Sequence, residues 1–154
     1  ACRWQGQPAL AGLTVFSGPE PGHRYVLGVD PAEGNPHSDE SALCVLDTTG
    51  WAQVAVLAGR LEPAVFAAAL ASLAAWYHGA GVLVERNNHG HAVLLWLREF
   101  SSARVLPIRY REGVVDGGGR VMGTTLAGKH HSICIWVLFL YFMGLNLSNS
   151  QITG

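Results

Sequence analysis

Asp30 follows directly on the apolar run Tyr25-Val26-Leu27-Gly28-Val29, and Glu85 follows directly on Val82-Leu83-Val84. Short apolar runs bounded by turn residues read as strands. Each carboxylate therefore projects from the carboxyl end of a strand, where open α/β sheets place their ligands. Neighbouring strands lie about 4.8 Å apart. If these two strands are neighbours, Asp30 and Glu85 can share divalent cations held about 3.5–4 Å from each other. Hard carboxylate oxygens suit Mg²⁺ or Mn²⁺, and two such ions activate water and stabilise the leaving oxygen in phosphodiester hydrolysis. Taken singly, each residue has a plainer reading. An Asp before a proline is a common turn former, and a Glu at a strand end is commonly solvated. Only the pairing favours chemistry.

The elements that must position this pair can be read along the chain. Its 154 residues fit one domain. Hydrophobic residues make up 49% and charged residues 14%, below the roughly 25% charge of an average soluble domain, which excludes disorder and implies a packed core. Residues 1–23 carry Gly, Pro and Ser without lasting periodicity and read as an extended linker. Strands are expected over Tyr25–Val29, Ser41–Asp47 and Trp51–Leu57, the last two forming a hairpin through Thr48-Thr49-Gly50. Pro63 suits a first helical turn, and Phe66, Leu70, Leu73 and Tyr77 follow at helical spacing until Gly79 closes the helix. Val82–Val84 is a fourth strand. Val93, Trp96, Leu97 and Phe100 mark a second amphipathic helix beginning near Asn88 or Gly90, and Val105–Ile108 is a fifth strand. Helical crossovers return their strands in parallel. The expected fold class is thus α/β, a mixed sheet of three antiparallel strands then two parallel strands, with flanking helices.

The net charge of −1 argues against a strongly basic nucleic-acid clamp. It hides an asymmetry: three Arg against eight acids leave −5 over residues 1–85, and seven basic residues against three acids leave +4 over residues 86–154. An acidic half that holds metals beside a basic half that receives phosphates fits this pattern, as does chance. Cys2, Cys44 and Cys134 form no CxxC pair, which suggests neither a zinc module nor a disulfide framework and fits a reducing compartment. Residue 1 is Ala and no cleavable signal follows, so the chain reads as a piece of a longer protein. Residues 131–154 are atypical. Ile133–Met143 has no polar face, yet falls short of the ~18 apolar residues of a membrane span; a buried element is one alternative, and a non-native end is the preferred one.

The segments YVLGVDPAEGNPHSDES (25–41) and VLVERNNHG (82–90) together resemble the C-terminal nuclease domain of phage terminase large subunits, over about residues 15–130. That resemblance implies a ribonuclease H-like fold and a Mg²⁺- or Mn²⁺-dependent endonuclease, with two ions in an intact site, that cuts concatemeric DNA during genome packaging. It implies Asp30, Glu85 and the less specific Asp39 as metal-binding and catalytic positions. It further implies double-stranded DNA as substrate. An N-terminal ATPase domain, a portal and a small terminase subunit would be its partners, in the cytoplasm of an infected bacterial host and away from any membrane. By the family's strand order, the first strand lies between the second and fourth, which brings Asp30 beside Glu85. One departure stands out: no Asp or Glu follows Asp116, where the family carries its third acid. On this reading residues 24–130 form an incomplete nuclease domain.

Arg86, Asn87, Asn88 and His89 fall at the start of the second expected helix, where free N–H groups and the helix dipole favour an anion such as a DNA phosphate. Helix capping by an Asn is the simpler role, and Arg86 can equally pair with a carboxylate. The stretch Gly123–Lys129 copies the spacing of a phosphate-binding loop, but His130 stands where Ser or Thr must ligate Mg²⁺, and no strand precedes it. His89 with His91, and His130 with His131, have poor chelating spacing. The rival to an active endonuclease is a catalytically silent fragment that keeps the fold and some DNA affinity. A phosphotransferase of the actin or sugar-kinase type shares the sheet but needs two such domains.

Overall fold

The computed structural model describes residues 3–34, 37, 39–85 and 88–106. Eight elements follow in chain order: β1 (Leu13–Val15), β2 (Tyr25–Asp30), β3 (Ser41–Asp47), β4 (Ala52–Gly59), α1 (Pro63–Trp76), β5 (Gly81–Val84), α2 (Asn88–Phe100) and β6 (Arg104–Val105). The strands form one sheet in the order β1-β4-β3-β2-β5-β6. β2, β3 and β4 are antiparallel neighbours, β5 lies parallel to β2, and β6 lies parallel to β5. β2 therefore sits between β3 and β5, as expected. Because it is covered on both faces, it is apolar almost throughout rather than alternating.

Side chains alternate across the sheet. Tyr25, Leu27 and Val29 of β2, Leu43 and Val45 of β3, and Val82 and Val84 of β5 share a core with the two helices. Phe66, Leu70, Leu73 and Tyr77 are wholly buried in it, at the helical spacing the sequence shows. Each such side chain contributes about 1.5–3 kcal/mol through its burial. α1 stops where His78 (φ 57°) and Gly79 (φ 68°) enter the left-handed region and turn the chain back into β5. From α2, Val93 and Leu97 enter the core, whereas Phe100 is 72% exposed. It is the last residue of that helix, and its ring rests on Trp96 at 5.5 Å between centroids.

The alternate positions Val26, Cys44, Leu46 and Leu83 point to the other face and are buried as well. Cys44 is disulfide-bonded, which its spacing did not suggest; its partner lies outside the described residues. Spacing records only local pairing, so a long-range bond leaves no pattern in it.

The segment expected as a linker carries the edge strand β1, paired with β4. Gly12 (φ 79°) passes so close to β4 that a Cβ there would lie 2.3 Å from the Ala58 carbonyl oxygen. The Trp76 indole donates to the Gln5 carbonyl at 3.0 Å, the Tyr77 hydroxyl donates to the Ser17 carbonyl at 2.7 Å, and the Glu20 amide donates to the Tyr25 hydroxyl at 2.8 Å. Three residues are too few for alternation to show, which is why this strand was not expected. The fifth strand was expected over Val105–Ile108 and is seen as Arg104–Val105; positions beyond Leu106, including Gly123–Lys129 and the apolar tail, lie outside the described residues. Among those described, no helix is long and apolar enough to cross a membrane.

Candidate functional site

Asp30 is the last residue of β2, and Glu85 is the first residue after β5. The parallel ladder ends at Val29 opposite Val84, and the Glu85 amide then donates to the Val29 carbonyl at 2.9 Å. Val29 and Val84 point to the helical core, so the next residue of each strand turns its side chain to the other face, on the same sheet edge. There the Asp30 and Glu85 carboxyl groups are neighbours. Burial first, then the hydrogen bond and the charge of Asp30, push the Glu85 pKa up to about 7. Asp30 is exposed and Glu85 half-buried, so the pair combines access with partial desolvation.

The turn after Asp30 is held from the next strand. Ser41, fully buried at the start of β3, accepts a hydrogen bond from the Ala32 amide at 2.8 Å. Gly34 (φ 78°) packs against the Leu61 backbone, where a Cβ would fall 2.3 Å from the carbonyl oxygen. Sequence reasoning passed over both residues. A lone polar residue opening an otherwise apolar strand was the available signal for Ser41.

Asp39 is exposed in the loop before β3. Among the described residues, no three His, Cys, Asp or Glu side chains form a group that could hold a metal ion. The geometry thus brings Asp30 and Glu85 together and adds no third member. His89 is half-buried in the first turn of α2. Arg86, Asn87 and the Asn88 side chain lie outside the described residues.

Residues 27–128 match the family described as terminase RNaseH-like domain. The chain belongs to that family. This terminase domain is also similar in fold to the large terminase nuclease of thermophilic phage G20c in three solved structures. The magnesium-bound structure is 22% identical, covering 67% of this chain and 54% of its own, with a TM-score of 0.56. The zinc-bound one is 22% identical, with 67% and 59% covered and a TM-score of 0.54. The cobalt-bound one is 20% identical, with 69% and 54% covered and a TM-score of 0.56. The terminase domain described here spans between half and three-fifths of the length of those structures. Comparison with curated proteins gives no match. The six-stranded mixed sheet with two helices is a ribonuclease H-like fold, as the resemblance implied.

A second polar pair lies at the opposite edge of the sheet. His23 Nδ1 and Asp47 Oδ2 are 2.6 Å apart, and Asp47 also accepts from the Thr49 and Gly50 amides at 2.8 and 3.3 Å. The hydrogen bond to Asp47 raises the His23 pKa against a smaller opposing effect of burial, with the Asp47 and Glu20 charges adding to the rise. Burial alone would raise Asp47; its hydrogen bonds and the His23 charge together outweigh it and lower the pKa. With the partners 24 positions apart, no motif announces this pair.

Proposed function

We propose that this chain is the metal-dependent endonuclease domain of a viral DNA-packaging terminase large subunit. The observation that carries the reading is the pairing of Asp30 and Glu85 at the ends of adjacent parallel strands. Their oxygens are the hard anionic donors that Mg²⁺ or Mn²⁺ prefers. The metal-bound structures of the phage nuclease with this fold support the same reading. When bound, two such ions would supply Lewis-acid activation of water and stabilisation of the leaving oxygen.

The chain's own residues have defined tasks. Asp30 and Glu85 would hold the cations through their carboxylate oxygens. Ser41 positions the backbone after Asp30. Asp39, in the loop before β3, would have to move toward the pair to add a further acidic ligand. Arg86, Asn87, Asn88 and His89, at the entry to α2, contact phosphates of double-stranded DNA, which orient the duplex without reading its bases. The ATPase domain, portal and small terminase subunit complete the machine in the cytoplasm of an infected bacterium.

One observation favours a second reading, a catalytically silent ribonuclease H-like domain with residual DNA binding. The described residues contain no three-member ligand group. Hydrolysis through two ions needs both held rigidly. Nicking of supercoiled plasmid in Mn²⁺, run beside an intact homologous nuclease, decides between them. Nicking that disappears in Asp30→Asn/Glu85→Gln establishes the endonuclease. Mn²⁺ binding without nicking establishes the silent form, and Mn²⁺ affinity unchanged by the double substitution rejects the site altogether.

A further inference from the structure

β2, β5 and β6 run parallel, so all three begin at the sheet edge opposite the carboxylate pair. The residues at those starts converge there: Arg24 just before β2, His78, Gly79 and Ala80 just before β5, and Arg104 opening β6. With His23 and Tyr25 they line a cavity of about 240 Å³. That is below the roughly 300–1,000 Å³ of pockets for drug-sized ligands, and it suits one compact polar group.

Among the described lining residues, the charged side chains are basic. Among the described residues, the ion pairs are those of His23 with Asp47 and Glu20, and neither the Arg24 nor the Arg104 guanidinium has a carboxylate partner. The acids nearby are thus engaged by His23, and two arginines remain to face a ligand. His78 stands edge-on to the Tyr25 ring at 5.9 Å between centroids, in a left-handed backbone conformation (φ 57°).

We propose that this cleft binds a phosphate group, with Arg24 and Arg104 as its ligands and His78 at its side. Guanidinium forks match phosphate oxygens in a bidentate geometry that ammonium groups lack. The phosphate comes either from a small free ligand or from a DNA backbone. The site itself stands apart from the endonuclease reading, because it involves neither metal nor cleavage; only its assignment to DNA rests on that reading.

The test uses the full 154-residue chain in EDTA, with two probes, inorganic phosphate and a short DNA duplex. Phosphate is expected to shift the His78 ring resonances of the unmodified chain. Arg24→Gln/Arg104→Gln is expected to weaken phosphate binding about tenfold or more, whereas Asp30→Asn/Glu85→Gln leaves it unchanged. If DNA is the source, the arginine double variant also binds the duplex more weakly, and the slope of log K against log salt falls by about 1.8, the share of two phosphate contacts. Duplex binding that is unaltered while phosphate binding is lost assigns the site to a free phosphate. An unshifted His78, or equal phosphate affinity in the arginine variant, overturns the proposal. Should that variant fail to fold by circular dichroism, the His78 titration of the unmodified chain decides alone.

Discussion

The Glu85 amide donates to the Val29 carbonyl at 2.9 Å, and this one bond carries the β2–β5 ladder a step beyond its last residue pair. It aligns Glu85 with Asp30 across 55 positions of sequence and turns both carboxyl groups to the same face. The consequences are measurable.

In the metal-free chain, Glu85→Gln is expected to stabilise the fold at pH 8. The folded-state pKa of Glu85 lies above its ordinary value of 4.5, at about 7, so the ionised form favours the unfolded chain. Stability is lost as the pH climbs between those two values, and the amide removes that loss. The gain is about 1 kcal/mol once solvent screening of a half-exposed carboxyl is allowed for. Urea unfolding at pH 5 and pH 8 measures it; a variant less stable than the parent at pH 8 contradicts the account.

The His23–Asp47 pair predicts the opposite limits. A raised His23 pKa contributes stability that is complete below its ordinary value of 6.5 and fades as the pH rises through the folded-state value. A lowered Asp47 pKa contributes stability above 3.8 that fades as the pH falls through its folded-state value. The melting temperature should therefore decline through this pair as the pH rises above 6.5 and through the raised folded-state value, and His23→Gln should flatten that decline. An unchanged slope in the variant counts against the pairing.

Tyr77→Phe removes the 2.7 Å hydrogen bond to the Ser17 carbonyl and leaves that acceptor without its donor, a loss of about 1 kcal/mol. Because the bond ties the N-terminal strap to the end of α1, limited proteolysis should cut the variant before Tyr25 sooner than the parent. Equal cleavage rates would show that residues 1–23 are held by something else.

Gly34→Ala forces a Cβ to within 2.3 Å of the Leu61 carbonyl oxygen at a positive φ, so the turn after Asp30 must move. Thermal unfolding should show a loss of about 1–3 kcal/mol, together with weaker Mn²⁺ binding if the endonuclease reading holds. Leu73→Ala, in the core far from this turn, should cost about 2–5 kcal/mol without affecting Mn²⁺ affinity in the fraction that remains folded.

Much of this was legible in the sequence. Local rules sufficed for α1, where Pro63 opens and Phe66, Leu70, Leu73 and Tyr77 repeat, and for β2 to β5, whose apolar runs end at turn residues. The carboxylates at two strand ends could be named, as could the strand order the family resemblance implies. β1, the Cys44 disulfide, the Tyr77–Ser17 strap and the His23–Asp47 pair could not be read, because each joins segments far apart in the chain and leaves no periodicity behind.

Residue type and spacing determined that Asp30 and Glu85 end strands, since that property is local. Only the tertiary structure decided that they meet at one edge while Arg24, His78 and Arg104 gather at the other. Parallel strands bring distant residues to the same end of the sheet, and such distances are set by how the strands pair across it rather than by the order of residues along the chain.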